Sequence, residues 1–312
     1  MDKEFIEQIE HLYDIDIISV QQINSILYMK NYIITTILGK FFLKQWGSKT
    51  VEKDIKQQVA IHNMSDMKLI PSILKTTTGV FKIIWNQKWY SLYNYIDSET
   101  IDWDNKMEDI DFYNLGERIA ELHRILKTIP LYKGASCGNI DLTKKKKEIF
   151  EVFDQINPSG IQMNDEISRV IDEFEAICMG KKQLLHGDLN RNNLLFLNNR
   201  LVGIVDFTDC VVGYPICDLA DFCIDVCINL EKEYVRWSVI KEFFSGYCSK
   251  NIEKEAIKKA MIYRICGQSV KFYDNLDFYV RRKKIRDYLE RLYKKIEIVL
   301  LDRMEMSFNI EK

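Results

Sequence analysis

Two apolar runs meet at Asn198-Asn199 in the stretch LLHGDLNRNNLLFLNNRLVGIVDF, residues 184–207. Asn tolerates a left-handed backbone, so the pair reads as the two-residue turn of a tight β-hairpin. Such a turn sets Leu197 opposite Arg200 and, counting back, Asn193 opposite Ile204. Side chains alternate faces along a strand, which puts Asp206 on the face of Asn193, diagonal neighbours lying roughly 7–8 Å apart. A carboxylate and an amide oxygen aimed at one point suit a hard cation such as Mg²⁺. Asp188 precedes Asn193 across the loop DLNRN and can face the same space. Each of the three alone is an ordinary loop or strand-end residue. Asp-x₄-Asn, a hairpin, and Asp at the end of the return strand together bring oxygen-bearing groups to one place.

The bulk of the chain is consistent with a globular protein. Its 312 residues have room for two domains or one large two-lobed unit. A net charge of −2 argues against a protein built to hold nucleic acid. No apolar run reaches the ~18 residues needed to cross a bilayer, so no membrane role is expected. The opening MDKEFIEQIEHLYDI is acidic and helix-patterned, unlike a secretory leader, and points to a cytoplasmic protein. The Cys residues form no C-x-x-C pair, and Cys210, Cys217, Cys223 and Cys227 lie in or beside the apolar run CDLADFCIDVCINL. Buried Cys of this kind behaves as a small hydrophobe rather than as a zinc ligand.

Periodicity divides the chain into 1–96 and 97–312. Residues 1–20 read as an amphipathic helix with Phe5, Ile9 and Leu12 on one stripe. SILYMKNYIITTILGKFFLKQW reads as two or three strands with Gly39 at a turn. A helix is expected from Ser48, as N-cap, to Met64, turning Val51, Ile55 and Val59 inward. SILKTT, VFKIIW and KWYSLYNYI supply further strands around Pro71 and Gly79. The first 96 residues thus form a small antiparallel sheet with one inserted helix. From Asp97 onward the pattern is mainly helical, with Leu115, Ile119, Leu122 and Leu126 in register. Lys144–Lys147 is expected as a solvated helix start, and the basic amphipathic RRKKIRDYLERLYKK as an exposed helix face or a contact for an anionic partner.

HGDLNRNN followed by IVDF resembles the catalytic loop and metal-binding Asp of the aminoglycoside phosphotransferase and choline kinase superfamily, relatives of the protein kinases. Gly187 stands where protein kinases carry Arg, and Thr208 follows Asp206-Phe207 in place of their Gly, which points to the small-molecule branch. The resemblance extends to DCVVGYPICDLADF, where Asp218 braces the loop, and to LGERIAELHRIL. It implies an α+β, bilobal, protein-kinase-like fold: a nucleotide-binding N-lobe with one helix, and a larger helical lobe for catalysis and substrate. Asp188 takes the place of the catalytic residue that orients the acceptor hydroxyl, and Asn193 and Asp206 those of the Mg²⁺ ligands. His186 resembles the structural His of the loop. Lys44 resembles the third-strand Lys on the phosphates, with Lys40 as its rival beside the turn. The Glu expected to face Lys44 is not plain: Gln57 or Gln58 falls near that register, and Glu52, though a turn or more early, is the candidate taken for the nucleotide site. Backbone at Asn94, Tyr95 and Ile96 takes the place of the adenine-binding hinge.

The activity so implied is transfer of a phosphoryl group from ATP or GTP, with Mg²⁺, to a hydroxyl of a small molecule. No G-x-x-x-x-G-K-[ST] occurs, which disfavours a P-loop enzyme. The acceptor stays open. Aminoglycosides are polycations, and Asp209, Asp221, Asp225, Glu231 and Glu233 either line an acidic pocket for one or form a solvent face. The segment HGDLNRNNLLF…GIVDFTDC also resembles homoserine kinases of this superfamily, and choline or another amino alcohol is a further option. From another class, non-catalytic spore-coat relatives resemble the segment IPSILKTTTGVFKIIWNQKWYSLYNYID.

Overall fold

The computed structural model describes the chain except residues 25–28, 48–49, 65–67, 104–106, 133–141, 158–162, 178–180, 249–251, 274–282 and 303–312. The expected N-cap Ser48 lies outside the described residues. The chain separates into two compact units.

The first unit comprises Met1–Asp111, Glu121–Cys137 and Asn192–Asp209. Helix α1 (Lys3–Tyr13) ends where Asp14 turns left-handed at φ 53°. The expected helix to residue 20 is therefore corrected: Ile17–Asn24 is strand β1. Its β-branched Ile17, Ile18 and Val20 favour a pleated surface over a further helical turn. β1 pairs with β2 (Lys30–Thr36), β2 with β3 (Gly39–Gln45), then come β4 (Ile83–Trp85) and β5 (Lys88–Asn94) in the antiparallel order β1-β2-β3-β5-β4. The expected strand SILKTT enters the sheet only through a bridge from Ile73 to Tyr93.

Alternation gives this sheet two different faces. Tyr32, Ile34, Leu43, Tyr90 and Leu92 pack with Phe5 and Ile9 of α1. On the other face, Tyr93 packs with Trp46, Ile73 and Ile55. Ile55 belongs to helix α2 (Glu52–Met64). The inward stripe of α2 differs from expectation: Val51, before the helix starts, is 45% exposed, whereas Gln57, Gln58 and His62 are buried.

The second unit comprises Phe112–Ala120, Gly138–Arg191 and Cys210–Lys312. Helix α3 (Phe112–Leu126) starts in this unit and ends in the other, and Leu115, Ile119, Leu122 and Leu126 are all buried as its stripe required. There follow α4 (Lys146–Ile156), α5 (Asn164–Ile177) and strand β6 (Gln183–Leu185). The hairpin β7 (Leu194–Leu197) and β8 (Arg200–Ile204) belongs to the first unit. The chain then runs through β9 (Val211–Gly213), which pairs with β6, to α6 (Ile216–Phe222) and a π-turn at Cys223–Cys227. A short pair β10 (Ile228–Asn229) and β11 (Tyr234–Val235) leads to α7 (Trp237–Tyr247), α8 (Lys254–Val270) and α9 (Lys283–Leu301). Helix α8 is the hub: Ile257, Ala260, Met261, Tyr263, Ile265 and Cys266 are buried around most of its circumference. Cys210, Cys217, Cys223, Cys227 and Cys266 are buried free thiols.

The units therefore do not divide at residue 96. The hairpin joins the N-terminal unit through long-range backbone bonds, Ile204 N to Leu69 O and Glu99 N to Phe196 O, both 2.7 Å. No helix among the described residues is long and apolar enough to cross a membrane.

Candidate active site

Asn198 and Asn199 occupy the hairpin turn at φ 50° and 60°. Leu197 pairs with Arg200 as expected, but the register slips between Leu195 and Phe196: Leu195 faces Gly203 and Leu194 faces Ile204. One extra residue, Val202, bulges out. Asn193 is consequently bonded to Val205, whose N–H donates to its carbonyl at 3.0 Å, and not to Ile204. Beside the bulge lies Gly203, where a Cβ would come within 2.8 Å of Ile96 Cδ1. A glycine inside a strand marks such a close approach, and a bulge beside it takes up the offset.

By simple alternation this slip would turn Asp206 away from Asn193. It does not, because Asp206 adopts φ 64° and breaks the alternation. Asn193 and Asp206 both line a cavity of about 340 Å³ in the first unit, together with Lys44, Asn94, Tyr95 and Ile96. Lys44 Nζ donates to Asp206 Oδ1 at 2.7 Å, and Thr208 Oγ1 donates to the same oxygen. The Lys44 side chain is only 11% exposed and lies 5.7 Å from the Trp46 ring centroid. Its rival Lys40 pairs with Asp97 at 3.2 Å. Asn193 and Asp206 are oxygen donors beside one cavity, the kind of set a hard Mg²⁺ takes, so the residues present fit that ion.

Glu52 does not face Lys44; it pairs with Lys82, whose ammonium also covers the Trp89 ring at 3.6 Å. Glu52 opens α2, and a carboxylate in the first turn is held at the exposed end of the helix. The amides take the buried positions instead. Gln58 Nε2 donates to Phe207 O at 2.6 Å, and Gln57 bonds Pro130 O at 3.2 Å and Tyr132 N at 3.0 Å. His62, one turn on, bonds Pro71 O at 2.6 Å and meets the Phe207 ring edge-on.

The loop carrying Asp188 is built in the second unit. His186 is fully buried, and the Asp188 N–H donates to its Nδ1 at 3.3 Å, which puts the proton of the neutral ring on Nε2. Gly187 sits at φ 82°, where a side chain would be strained. Asp218 accepts from the N–H groups of His186 and Gly187, both at 2.8 Å. Arg264 reaches from α8 to donate to Gly187 O at 2.9 Å and grips Asp221 at 2.8 and 2.6 Å. Arg191 is held by Asp225 through its backbone N–H at 2.9 Å and its Nε at 3.1 Å. Burial pushes the Asp221 carboxyl up to about 6 against the pull of Arg264.

Asp218, Asp221 and Asp225 are thus three braces of one loop. Their spacing of i, i+3 and i+7 places them on one helical face, a signal present in the sequence. The expectation that Asp221 and Asp225 line a pocket for a polycation, or a solvent face, is corrected: both are committed to arginines. Asp209 belongs to the first unit, Glu233 pairs with Lys294 at 3.0 Å, and Glu231 is exposed. Arg191 and Arg264 were not singled out in the sequence, and Gln58 was weighed only as a neighbour of Lys44. Nothing local marks a residue whose partner lies dozens to well over a hundred positions away.

Among curated proteins no match was found. Solved structures do match over nearly their whole length. A spectinomycin phosphotransferase in complex with ADP and spectinomycin is 17% identical, with a TM-score of 0.67 over 97% of this chain and 98% of that one. A microcompartment-associated aminopropanol kinase is 15% identical, with a TM-score of 0.69 over 96% and 97%. An amicoumacin kinase in complex with AMP-PNP, Ca²⁺ and its ligand is 14% identical, with a TM-score of 0.64 over 95% and 93%. These similarities establish the fold as the α+β fold of the aminoglycoside phosphotransferases. The phosphotransferase enzyme family, APH, matches residues 32–240. Because that match takes in well over half of the sequence, with Lys44, Asp188, Asn193 and Asp206 inside it, the chain belongs to the phosphotransferase enzyme family.

Proposed function

We propose that this phosphotransferase is a kinase that moves the γ-phosphoryl group of ATP to a hydroxyl of a small molecule. The observation carrying the reading is the convergence of Lys44, Asn193 and Asp206 on one cavity. Lys44 offers the cation for the nucleotide phosphates, and the backbone at Asn94–Ile96 the wall for the base. Asn193 and Asp206 would hold Mg²⁺, which when bound supplies positive charge to the phosphate oxygens. Asp188 orients the acceptor hydroxyl; the hydroxyl oxygen forms the new bond to phosphorus as the bond to the leaving ADP oxygen breaks, and the hydroxyl proton, held by Asp188, ends on the transferred phosphoryl group. A carboxylate is a weak base for an alcohol, so its contribution is mostly aim. Glu52 has no part in this set.

ADP, AMP and AMP-PNP in the related structures favour an adenine nucleotide, while a GDP complex of an aminoglycoside 2′-phosphotransferase keeps GTP as the rival donor. Free thiols at every described Cys are in keeping with a cytoplasmic protein. A second reading, a non-catalytic relative, draws on Glu52 pairing with Lys82 and not with Lys44. The two readings separate in one experiment. Mg²⁺-ATP or Mg²⁺-GTP at millimolar concentration should raise the melting temperature, because a ligand of the folded form alone stabilises it. An unchanged melting temperature with both nucleotides refutes the kinase.

A further inference from the structure

The carboxylates that a cationic acceptor would seek around Asp188 are already engaged. Asp221 holds Arg264 at 2.6 Å, Asp225 holds Arg191, and Asp218 takes two backbone N–H groups. Cations, by contrast, lie on the neighbouring helix α9. On α9, Tyr288, Arg291 and Lys295 stand at i, i+3 and i+7, one face of the helix. That face is tied to the braces of the catalytic loop: the Tyr288 hydroxyl donates to Gln268 Oε1 at 3.4 Å, and Gln268 Nε2 donates to Asp221 Oδ1 at 3.2 Å. Burial and then the charges of Asp188, Asp221 and Asp225 raise the Tyr288 phenol.

Lys295 is largely enclosed, with Asp225, Arg191 and Arg291 as its charged surroundings. Of these, Asp225 is already bonded to Arg191, and the two arginines repel the ammonium. Neither Lys295 nor Arg291 has a salt bridge among the described residues. Burial pulls the Lys295 ammonium down from its usual range, as expected of a cation removed from water without a dedicated counter-ion. An anion delivered by a ligand would supply that counter-ion.

We propose that Lys295, assisted by Arg291, binds an anionic group of the phosphoryl acceptor, so that the acceptor is an alcohol bearing a carboxylate, a hydroxy acid or hydroxy-amino acid, and not a polycation. The inference rests on the kinase reading and narrows its acceptor. Lys295 is a specificity residue here; it touches the part of the acceptor remote from the reacting oxygen.

The test uses the full chain with Mg²⁺-ATP and a size-matched panel of hydroxy acids, hydroxy-amino acids and amino alcohols, plus an aminoglycoside, read by ADP release. Turnover is expected with carboxylate-bearing members. For these, Lys295→Met should raise KM by about tenfold or more with kcat nearly unchanged, the pattern of lost uniform binding. Lys295→Arg should recover most of the affinity. Arg291→Gln, at an exposed position that does not threaten folding, should raise KM in the same direction by a smaller factor. Turnover confined to cationic members, turnover with no carboxylate-bearing member, or an unchanged KM in both variants overturns the inference. The nucleotide-dependent melting shift of the wild type reads the kinase assignment separately. A positive shift without carboxylate turnover removes only the acceptor inference, whereas no shift removes both.

Discussion

Gln58 offers the sharpest test of how the metal-binding segment is held. Its side chain is 3% exposed, and its Nε2 donates at 2.6 Å to the carbonyl of Phe207, the residue after Asp206. Leu has nearly the same shape as Gln and no donor, so Gln58→Leu removes the bond without opening a cavity. Loss of one buried partner costs about 1–3 kcal/mol. At roughly 2 °C per kcal/mol for a chain this long, the melting temperature should fall by about 2–6 °C. Loosening Phe207 also loosens the left-handed turn at Asp206, so Mg²⁺-nucleotide affinity should weaken by up to about tenfold, the equivalent of ~1.4 kcal/mol. Thermal unfolding gives the first quantity and a nucleotide titration with and without Mg²⁺ gives the second. Gln58→Glu then distinguishes two roles for the position. If Gln58 is a clamp on Phe207, the ionised carboxylate cannot donate to a carbonyl and the variant behaves as badly as Leu. If the slot instead serves Lys44, Glu restores an ion pair and nucleotide binding tightens. A melting temperature within 1 °C of wild type in Gln58→Leu, with nucleotide affinity unchanged, would refute the clamp.

Other outcomes follow from the same geometry. Asp188→Asn should lower kcat by about 10²- to 10⁴-fold while leaving the nucleotide-dependent melting shift intact, since only the aim of the hydroxyl is lost; retention of most of the rate would remove Asp188 from its role. Asp206→Asn keeps a residue tolerant of the left-handed backbone but cancels the charge that meets Lys44 at 2.7 Å, so the Mg²⁺-dependent part of nucleotide binding should disappear in a titration. Arg264→Met strands the buried Asp221 carboxylate and should cost about 3–5 kcal/mol in urea unfolding, most of it recovered in Arg264→Met/Asp221→Leu. Because Asp221 is raised to about 6 in the folded chain from an ordinary 3.8, the folded form binds the extra proton between those values. The stability of wild type relative to Asp221→Asn should therefore fall as pH rises from about 4 to about 6 and level off above; a difference that rises with pH through that window contradicts the assignment.

Much of the fold was written in local patterns. The stripe Leu115, Ile119, Leu122, Leu126 specified α3, and GKFFLKQ and KWYSLYN specified the strands that carry Lys44 and the wall of the cavity. Errors fell where a local signal competed with a distant partner. IISVQQIN follows a convincing helix, and pairing with Lys30–Thr36 completes a strand that its β-branched residues favour only weakly against the helical pattern before it. SILKTT has strand composition, yet it makes only one bridge to the sheet because β4 already occupies the edge of β5. The hairpin was expected at the right turn but in the wrong register, and Gly203 was the overlooked sign.

The site shows why motif spacing and physical position are separate matters. Asp-x₄-Asn, hairpin, Asp fixes which residues carry the chemistry, but simple pairing would have carried Asp206 to the wrong face once Val202 bulged. Two local departures from ideal strand geometry compensate each other. The bulge shifts the register by one residue, and the left-handed turn at Asp206 undoes the resulting change of side. Neither would survive in isolation, since a left-handed non-glycine residue costs on the order of 1 kcal/mol or more. The fold offsets that cost through bonds made from far along the chain: Lys44 to the carboxylate and Gln58 to the next carbonyl. The same logic governs the loop of Asp188, where Arg264 and three acids spaced along one helical face hold a left-handed Gly187. A sequence displays the groups that react. The groups that hold them still are scattered, because strain at a site can be balanced only by elements that the tertiary fold brings to it.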